Sequence, residues 1–214
     1  DPSLTPPERR SVWERIRMEV TSGWQTEAHP HERLTVADER EHALFYLAEV
    51  VYRVVPALYE ELAQWMETVF ALPPELERMP LVLRFGSWVG GDMDGNTEVH
   101  AKAIRETLHR QQQRIISSYY EDCRALASKL SQSAGRVGVG HELEARIAEY
   151  DILLPKARAG ASTRHDRMPY RIFLAQVAER LRTTYDGRPN HYESVAQFIH
   201  DIELVATSLR ANRG

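Results

Sequence analysis

The stretch LFYLAEVVYRVVPALYEELAQWMETV, residues 44–69, decides the architecture. Within it Leu44, Leu47, Val51, Val54, Leu58, Leu62, Trp65 and Val69 recur at steps of three and four, which places them along one stripe of an α-helix. A long amphipathic helix is predicted. Pro56 lacks a backbone donor and predicts a kink inside it. Thr35 and Asp38 supply capping groups ahead of the helix, and Pro73-Pro74 stops it from continuing.

Working outward, Val12, Trp13, Ile16 and Val20 predict an upstream helix that ends near Gly23 and packs against the long one. Downstream, Leu81-Val82-Leu83-Arg84-Phe85 reads as a single short strand between Pro80 and Gly86. A glycine-rich segment, residues 86–96, follows it. Thr97 and Glu98 then open a second long helix, with Asn96 or Thr97 as N-cap and Ile104, Leu108, Ile115, Tyr119, Leu126 and Leu130 on its apolar side. Residues 133–140 read as a loop. Leu143, Ile147, Tyr150 and Leu154 mark a shorter helix ended by Pro155, and residues 156–169 are expected to form a mobile surface loop. Two more helices carry Tyr170, Phe173, Leu174, Val177 and Leu181, then Val195, Phe198, Ile202, Val205 and Leu209, with Asp186-Gly187-Arg188-Pro189 turning between them. The expected class is mainly α, a bundle-like set of about seven helices with one short strand.

Composition narrows the partners. With 27 basic against 31 acidic residues the formal charge is −4, so no large positive field awaits nucleic acid or an anionic membrane. No run approaches the length of apolar sequence that spans a bilayer, and the first residues lack a signal-peptide pattern. A lone cysteine, Cys123, forms no intramolecular disulfide and fits a reducing, cytoplasmic setting; on its helix it reads as a packed thiol, not a nucleophile. The absence of an initial methionine hints at a segment cut from a longer chain.

Chemistry concentrates in Phe85-Gly86-Ser87-Trp88-Val89-Gly90-Gly91-Asp92-Met93-Asp94-Gly95-Asn96. Glycines let the main chain approach a ligand or turn with positive φ, and a helix N-terminus beside them presents free N–H groups. A large aromatic and two carboxylates there point to a site; a structural turn with Trp88 in the core is the competing reading. Asp92, Asp94 and Asn96 imitate the start of a calcium loop, but Thr97 and Ala103 stand where the glycine and the bidentate glutamate belong. The histidines, His100, His109, His141, His165, His191 and His200 among them, fall at no metal-ligand spacing. Arg164, Arg167 and Arg171 read as a solvated basic face, with an anion site as the alternative.

The Phe85–Asn96 segment resembles the F-x-S-W-x-G-G-D-R-D-G-N block of phosphoenolpyruvate carboxylases. Trp24, Thr26, Arg33, Asp38-Glu39 and Val55-Pro56 resemble the helical segment ahead of that block, and Pro169-Tyr170-Arg171 with Leu174, Val177, Arg180-Leu181 and Thr184 resembles the helix beyond it. The resemblance implies an internal fragment, residues 1–214 as one helical segment, of an α/β-barrel enzyme with many extra helices. Such an enzyme is a lyase that joins bicarbonate to phosphoenolpyruvate, releasing oxaloacetate and phosphate in anaplerotic carbon fixation. It passes through carboxyphosphate and an enolate, uses magnesium or manganese, and is a homotetramer in its parent form. Trp88 matches the tryptophan that walls the apolar pocket around the substrate methylene, where dry surroundings protect the enolate. Gly90, Gly91, Asp92, Asp94, Gly95 and Asn96 match the loop that shapes the site mouth, in a supporting role.

Two departures stand out. Met93 replaces the arginine of D-R-D-G-N, which in some members helps bind an anionic effector. Leu34 and Val36 replace prolines of the R-P-x-P stretch. Ala28-His29-Pro30-His31-Glu32 imitates the catalytic histidine motif at the wrong distance from Trp88, so His29 is expected to be a solvated loop residue. The metal-binding carboxylates, the arginine-bearing mobile loop and the true histidine motif find no match, so no complete catalytic set and no metal site is expected here. The rest of the parent enzyme is the expected partner. A non-catalytic helical interaction protein derived from the same fold is the alternative, favoured by Met93.

Overall fold

The computed structural model describes residues 4–26, 34–71, 79–94, 96–159 and 167–212. Those residues form eight α-helices and one π-helical segment: α1 Pro6–Gln25, α2 Val36–Phe45, the π segment Tyr46–Val51, α3 Tyr52–Phe70, α4 Ala101–Lys129, α5 His141–Leu153, α6 Pro155–Ala159, α7 Pro169–Tyr185 and α8 Val195–Ala211. The class is mainly α. No strand occurs among the described residues.

The long helix predicted over residues 44–69 runs unbroken through α2, the π segment and α3. Its entry is a reciprocal cap in which Asp38 N–H donates to Thr35 Oγ1 at 3.2 Å and Thr35 N–H to Asp38 Oδ2 at 3.0 Å. The irregularity foreseen at Pro56 lies a turn earlier, where Tyr52 N–H reaches back to the Leu47 carbonyl, one residue beyond the α-helical partner. Ala71 ends α3 in the left-handed conformation. Pro73-Pro74 falls outside the described residues.

The core gathers α4 to α8. α7 occupies its middle, packing on α4, α5, α6 and α8, and buries Tyr170, Phe173, Leu174, Val177 and Leu181 as its periodicity predicts. Leu143 and Tyr150 meet it from α5 and Leu154 from the C-cap of that helix, Leu204 and Val205 from α8, and Ile116 and Cys123 from α4. Arg171 belongs to this packing: its Nε and Nη2 donate to the carbonyls of Ala127 and Ser128 at 2.7 and 2.8 Å. It thereby satisfies the C-terminal carbonyls of α4, where a cation also complements the helix dipole. The solvated-face reading fails for Arg171, and Arg164 lies outside the described residues.

Several expectations are corrected. α1 buries none of its residues, so Val12, Trp13, Ile16 and Val20 do not find the predicted partner on the long helix. Residues 81–85 are unpaired because a strand needs a neighbouring strand, and no other described segment is extended beside them. They are tied instead by Val82 N–H donating to Tyr59 Oη at 2.9 Å. α4 begins at Ala101 with His100 as N-cap, its Nδ1 accepting from Ala103 N–H at 3.1 Å. Asn96 and Thr97 are used before that, in a turn closed by Val99 N–H to the Asn96 carbonyl at 3.2 Å. The loop expected over residues 156–169 gives part of itself to α6 and to the start of α7.

Candidate functional site

Residues 85–94 leave α3 and α4 as an outward turn. The Trp88 carbonyl accepts from Gly91 N–H at 2.8 Å and from Asp92 N–H at 3.1 Å, which folds Trp88 to Asp92 into one compact unit. Ser87 Oγ accepts from Val89 N–H at 3.2 Å, and Asp92 Oδ1 accepts from Asp94 N–H at 3.0 Å. Asn96 Oδ1 accepts from Glu98 N–H at 3.0 Å. The polar side chains of the segment therefore hold its own backbone.

Gly90 is the pivot. Its φ of 75° suits a residue without a side chain, and a Cβ there would collide with the Thr107 side chain of α4. With the backbone pressed inward at Gly90, the Trp88 indole is thrown outward and is 81% exposed. The reading of Trp88 as a core residue of a structural turn is excluded. Asp92, Met93, Asp94 and Asn96 are exposed beside it, Gly91 likewise, while Gly95 lies outside the described residues.

Behind the turn, a groove of about 380 Å³ separates α4 from the π segment and α3. Leu47, Tyr52, Phe85, Leu108 and Ile115 give it apolar walls, and Arg114 adds a cation. Arg114 is committed to Glu49, which also accepts from Arg53. Tyr52 Oη donates to Asp122 Oδ2 at 2.5 Å; burial, then that carboxylate, hold its pKa well above the ordinary phenol value. A second ion pair, Arg110 to Glu41 at 3.0 and 3.1 Å, ties α4 to α2 and holds the Glu41 carboxyl below its ordinary pKa. Two polar groups of the groove wall, Arg114 and the Tyr52 hydroxyl, are thus each held by a carboxylate.

Among the described residues no three His, Cys, Asp or Glu side chains are placed to hold a metal ion. Asp92 and Asp94 are exposed, and Asp92 Oδ1 is engaged by the Asp94 N–H. Cys123 is buried, and burial followed by the nearby Asp122 charge pushes its thiol up to about 12, which is that of an inert packed thiol. His29 and His31 lie outside the described residues. No helix among the described residues is long and apolar enough to cross a membrane.

Thr107 is the site-shaping residue that sequence reasoning missed. It sits in a run of polar and charged residues on α4, and the only hint was a glycine-rich loop that has to press against something.

Fold and site together define a helical segment that presents an aromatic-tipped glycine turn, and much uncovered apolar surface, to solvent. The family profile described as phosphoenolpyruvate carboxylase matches residues 1–214. The chain is 44% identical over 214 residues to the phosphoenolpyruvate carboxylase of Xanthomonas euvesicatoria pv. vesicatoria (strain 85-10), a match that takes in 100% of this chain and 23% of that protein. It is 34% identical over 229 residues to the phosphoenolpyruvate carboxylase of Ralstonia nicotianae (strain ATCC BAA-1114 / GMI1000), covering 100% of this chain and 22% of the relative. A third, from Azorhizobium caulinodans, is 31% identical over 223 residues, with 97% and 23% covered. The chain belongs to the phosphoenolpyruvate carboxylase family. It spans less than a quarter of the length of these relatives.

Proposed function

We propose that this chain supplies one wall of the active site of an enzyme that carboxylates phosphoenolpyruvate with bicarbonate to oxaloacetate and phosphate, and that it is inactive alone. The observation that carries this reading is Trp88: an exposed indole held on a turn that Ser87, Asp92 and the Trp88 carbonyl close by hydrogen bonds to its own backbone. An aromatic presented that way suits an apolar wall completed by other parts of a larger protein. Against the methylene of the substrate it keeps water from the enolate carbon until carbon dioxide arrives.

In this reading Gly90, Gly91, Asp92, Asp94, Gly95 and Asn96 shape the mouth of the pocket. The residues that hold magnesium or manganese, the catalytic histidine and the arginine-bearing mobile loop come from the remainder of the polypeptide, in a cytoplasmic homotetramer. The lone, buried Cys123 thiol supports a reducing setting.

The test is an oxaloacetate assay coupled to its reduction, run on the isolated chain, on the full-length protein that contains it, and on full-length Trp88→Ala. The isolated chain is expected to give no product, and Trp88→Ala is expected to lower kcat/KM by on the order of a hundredfold. Robust turnover by the isolated chain, or an indifferent Trp88→Ala enzyme, overturns the proposal.

A further inference from the structure

Between residues 79 and 98, Gly90 is the one buried position among the described residues, so within the Trp88–Asp92 turn it is the point that meets the helical body. The residue it rests on is Thr107, in the second turn of α4 and only 4% exposed. A Cβ at position 90 would meet not only Thr107 Oγ1 but also its Cβ at 3.2 Å and Cγ2 at 3.3 Å, so the whole face of that side chain abuts the glycine. Trp88 to Asp92 is one hydrogen-bonded unit, and a push at Gly90 is therefore transmitted to the indole two residues away. Thr107 Oγ1 is buried with no hydrogen-bond partner among the described residues. A buried hydroxyl in that state costs stability and gives the helix nothing in return; what the side chain provides is shape.

Building on the reading of Trp88 as a pocket wall, we propose that Thr107 is a positioning residue for the carboxylation, setting through Gly90 the height of the Trp88 indole over the substrate. The chemistry makes that height legible in the products. Transfer of the phosphoryl group from phosphoenolpyruvate to bicarbonate breaks the ester P–O bond and leaves the pyruvate enolate beside carboxyphosphate. Carboxyphosphate then splits into carbon dioxide and phosphate. If the enolate methylene carbon bonds to carbon dioxide, the product is oxaloacetate; if a proton from water reaches that carbon first, the products are pyruvate and free carbon dioxide. A displaced wall admits water and shifts the balance to pyruvate.

The experiment measures pyruvate and oxaloacetate in the same reaction for full-length enzymes carrying Trp88→Ala, Thr107→Leu, Gly90→Ala, and Gly90→Ala combined with Thr107→Ala. The first three are expected to raise the pyruvate share on the order of tenfold. The double variant takes Oγ1 and Cγ2 away from the new Cβ but keeps the Thr107 Cβ 3.2 Å from it and an alanine at positive φ, so it is expected to recover part of the parent ratio and to give a lower pyruvate share than Gly90→Ala alone. If Trp88→Ala raises the share while Thr107→Leu and Gly90→Ala leave it at the parent value, the positioning role is wrong and the pocket-wall reading stands. If Trp88→Ala itself changes neither the ratio nor kcat/KM, the pocket-wall reading falls and this inference with it. Should Thr107→Leu lose its helical circular dichroism, the Gly90→Ala pair decides alone, and failure of the double variant to recover overturns the inference.

Discussion

Asp201, wholly buried on α8, accepts the hydroxyl hydrogen of Tyr192 at 2.6 Å. The same carboxylate oxygen accepts from Tyr150 at 2.5 Å, and the Arg180 guanidinium lies 3.9 Å away while stacking 4.1 Å from the Tyr192 ring centroid. Arg180 also donates to Gln197 Oε1 at 3.0 Å and to the Asn190 carbonyl at 3.3 Å. One carboxylate thus joins α5, α7, α8 and the turn between the last two. Removing it leaves two buried phenol hydroxyls without their acceptor and a largely buried cation without that counter-charge, so Asp201→Ala is expected to cost about 3 kcal/mol of stability, with Asp201→Asn milder. Urea unfolding followed by circular dichroism reads this directly, and an unmoved midpoint for Asp201→Ala contradicts it.

The same core sets an alkaline limit. Burial raises the Cys123 thiol from 9.0 to about 12 and the Tyr150 phenol from 10.0 to about 12, and pushes Tyr192 upward as well. The folded chain keeps these protons at pH values where the unfolded chain has released them. Their contribution is therefore complete below pH 9.0 and is lost as pH climbs toward the raised values. Stability is expected to be flat through neutral pH and to decline above 9.0, and in Cys123→Ala the decline should begin nearer 10.0. Melting temperatures collected across that range check both onsets; identical onsets for parent and variant refute the assignment to Cys123.

Thr107 carries a separable prediction for stability. Valine has the shape of threonine and no hydroxyl, so Thr107→Val keeps the surface under Gly90 and removes a buried group that lacks a partner. The variant is expected to gain about 1 kcal/mol. A lower melting temperature for Thr107→Val than for the parent refutes it.

The contrast between α7 and α3 explains what a sequence gives away. In α7 every member of the apolar stripe is buried, because α4, α5, α6 and α8 surround it within this chain. In α3 the equally regular Val54, Leu58, Trp65 and Val69 face solvent. Periodicity identifies residues that share a face; it does not say that the partner of that face lies in the same segment. Residues 81–85 fail as a strand for the same reason, since pairing is a property of two segments. The turn at 85–96 was legible from its glycines and aspartates, and its indole points outward. Its seat on Thr107 was not legible, because a mid-helix threonine beside Arg105 and Glu106 carries no periodic signal, and the start of α4 moved to Ala101 because His100 out-competed Asn96 as the cap.

Those uncovered faces yield the remaining prediction. All four tryptophans are exposed, Trp13 at 66%, Trp24 at 90%, Trp65 at 65% and Trp88 at 81%, and Val69 and Phe70 extend the apolar patch on α3. Apolar surface of that extent is unusual on a free-standing soluble chain and marks contact with other protein. In the isolated chain acrylamide is expected to quench nearly all of the tryptophan emission, and an apolar dye should bind strongly. In the full-length protein, where the remaining three-quarters or so of the polypeptide is present as judged from relatives covered to 23% by this segment, most of that emission should be shielded. Trp88 is the exception to follow: it should stay quenchable in the free enzyme and become protected when phosphoenolpyruvate is added, a change that Trp88→Phe removes. Uniform quenching in both proteins, with no response to substrate, contradicts a covered helical face and an open pocket wall alike.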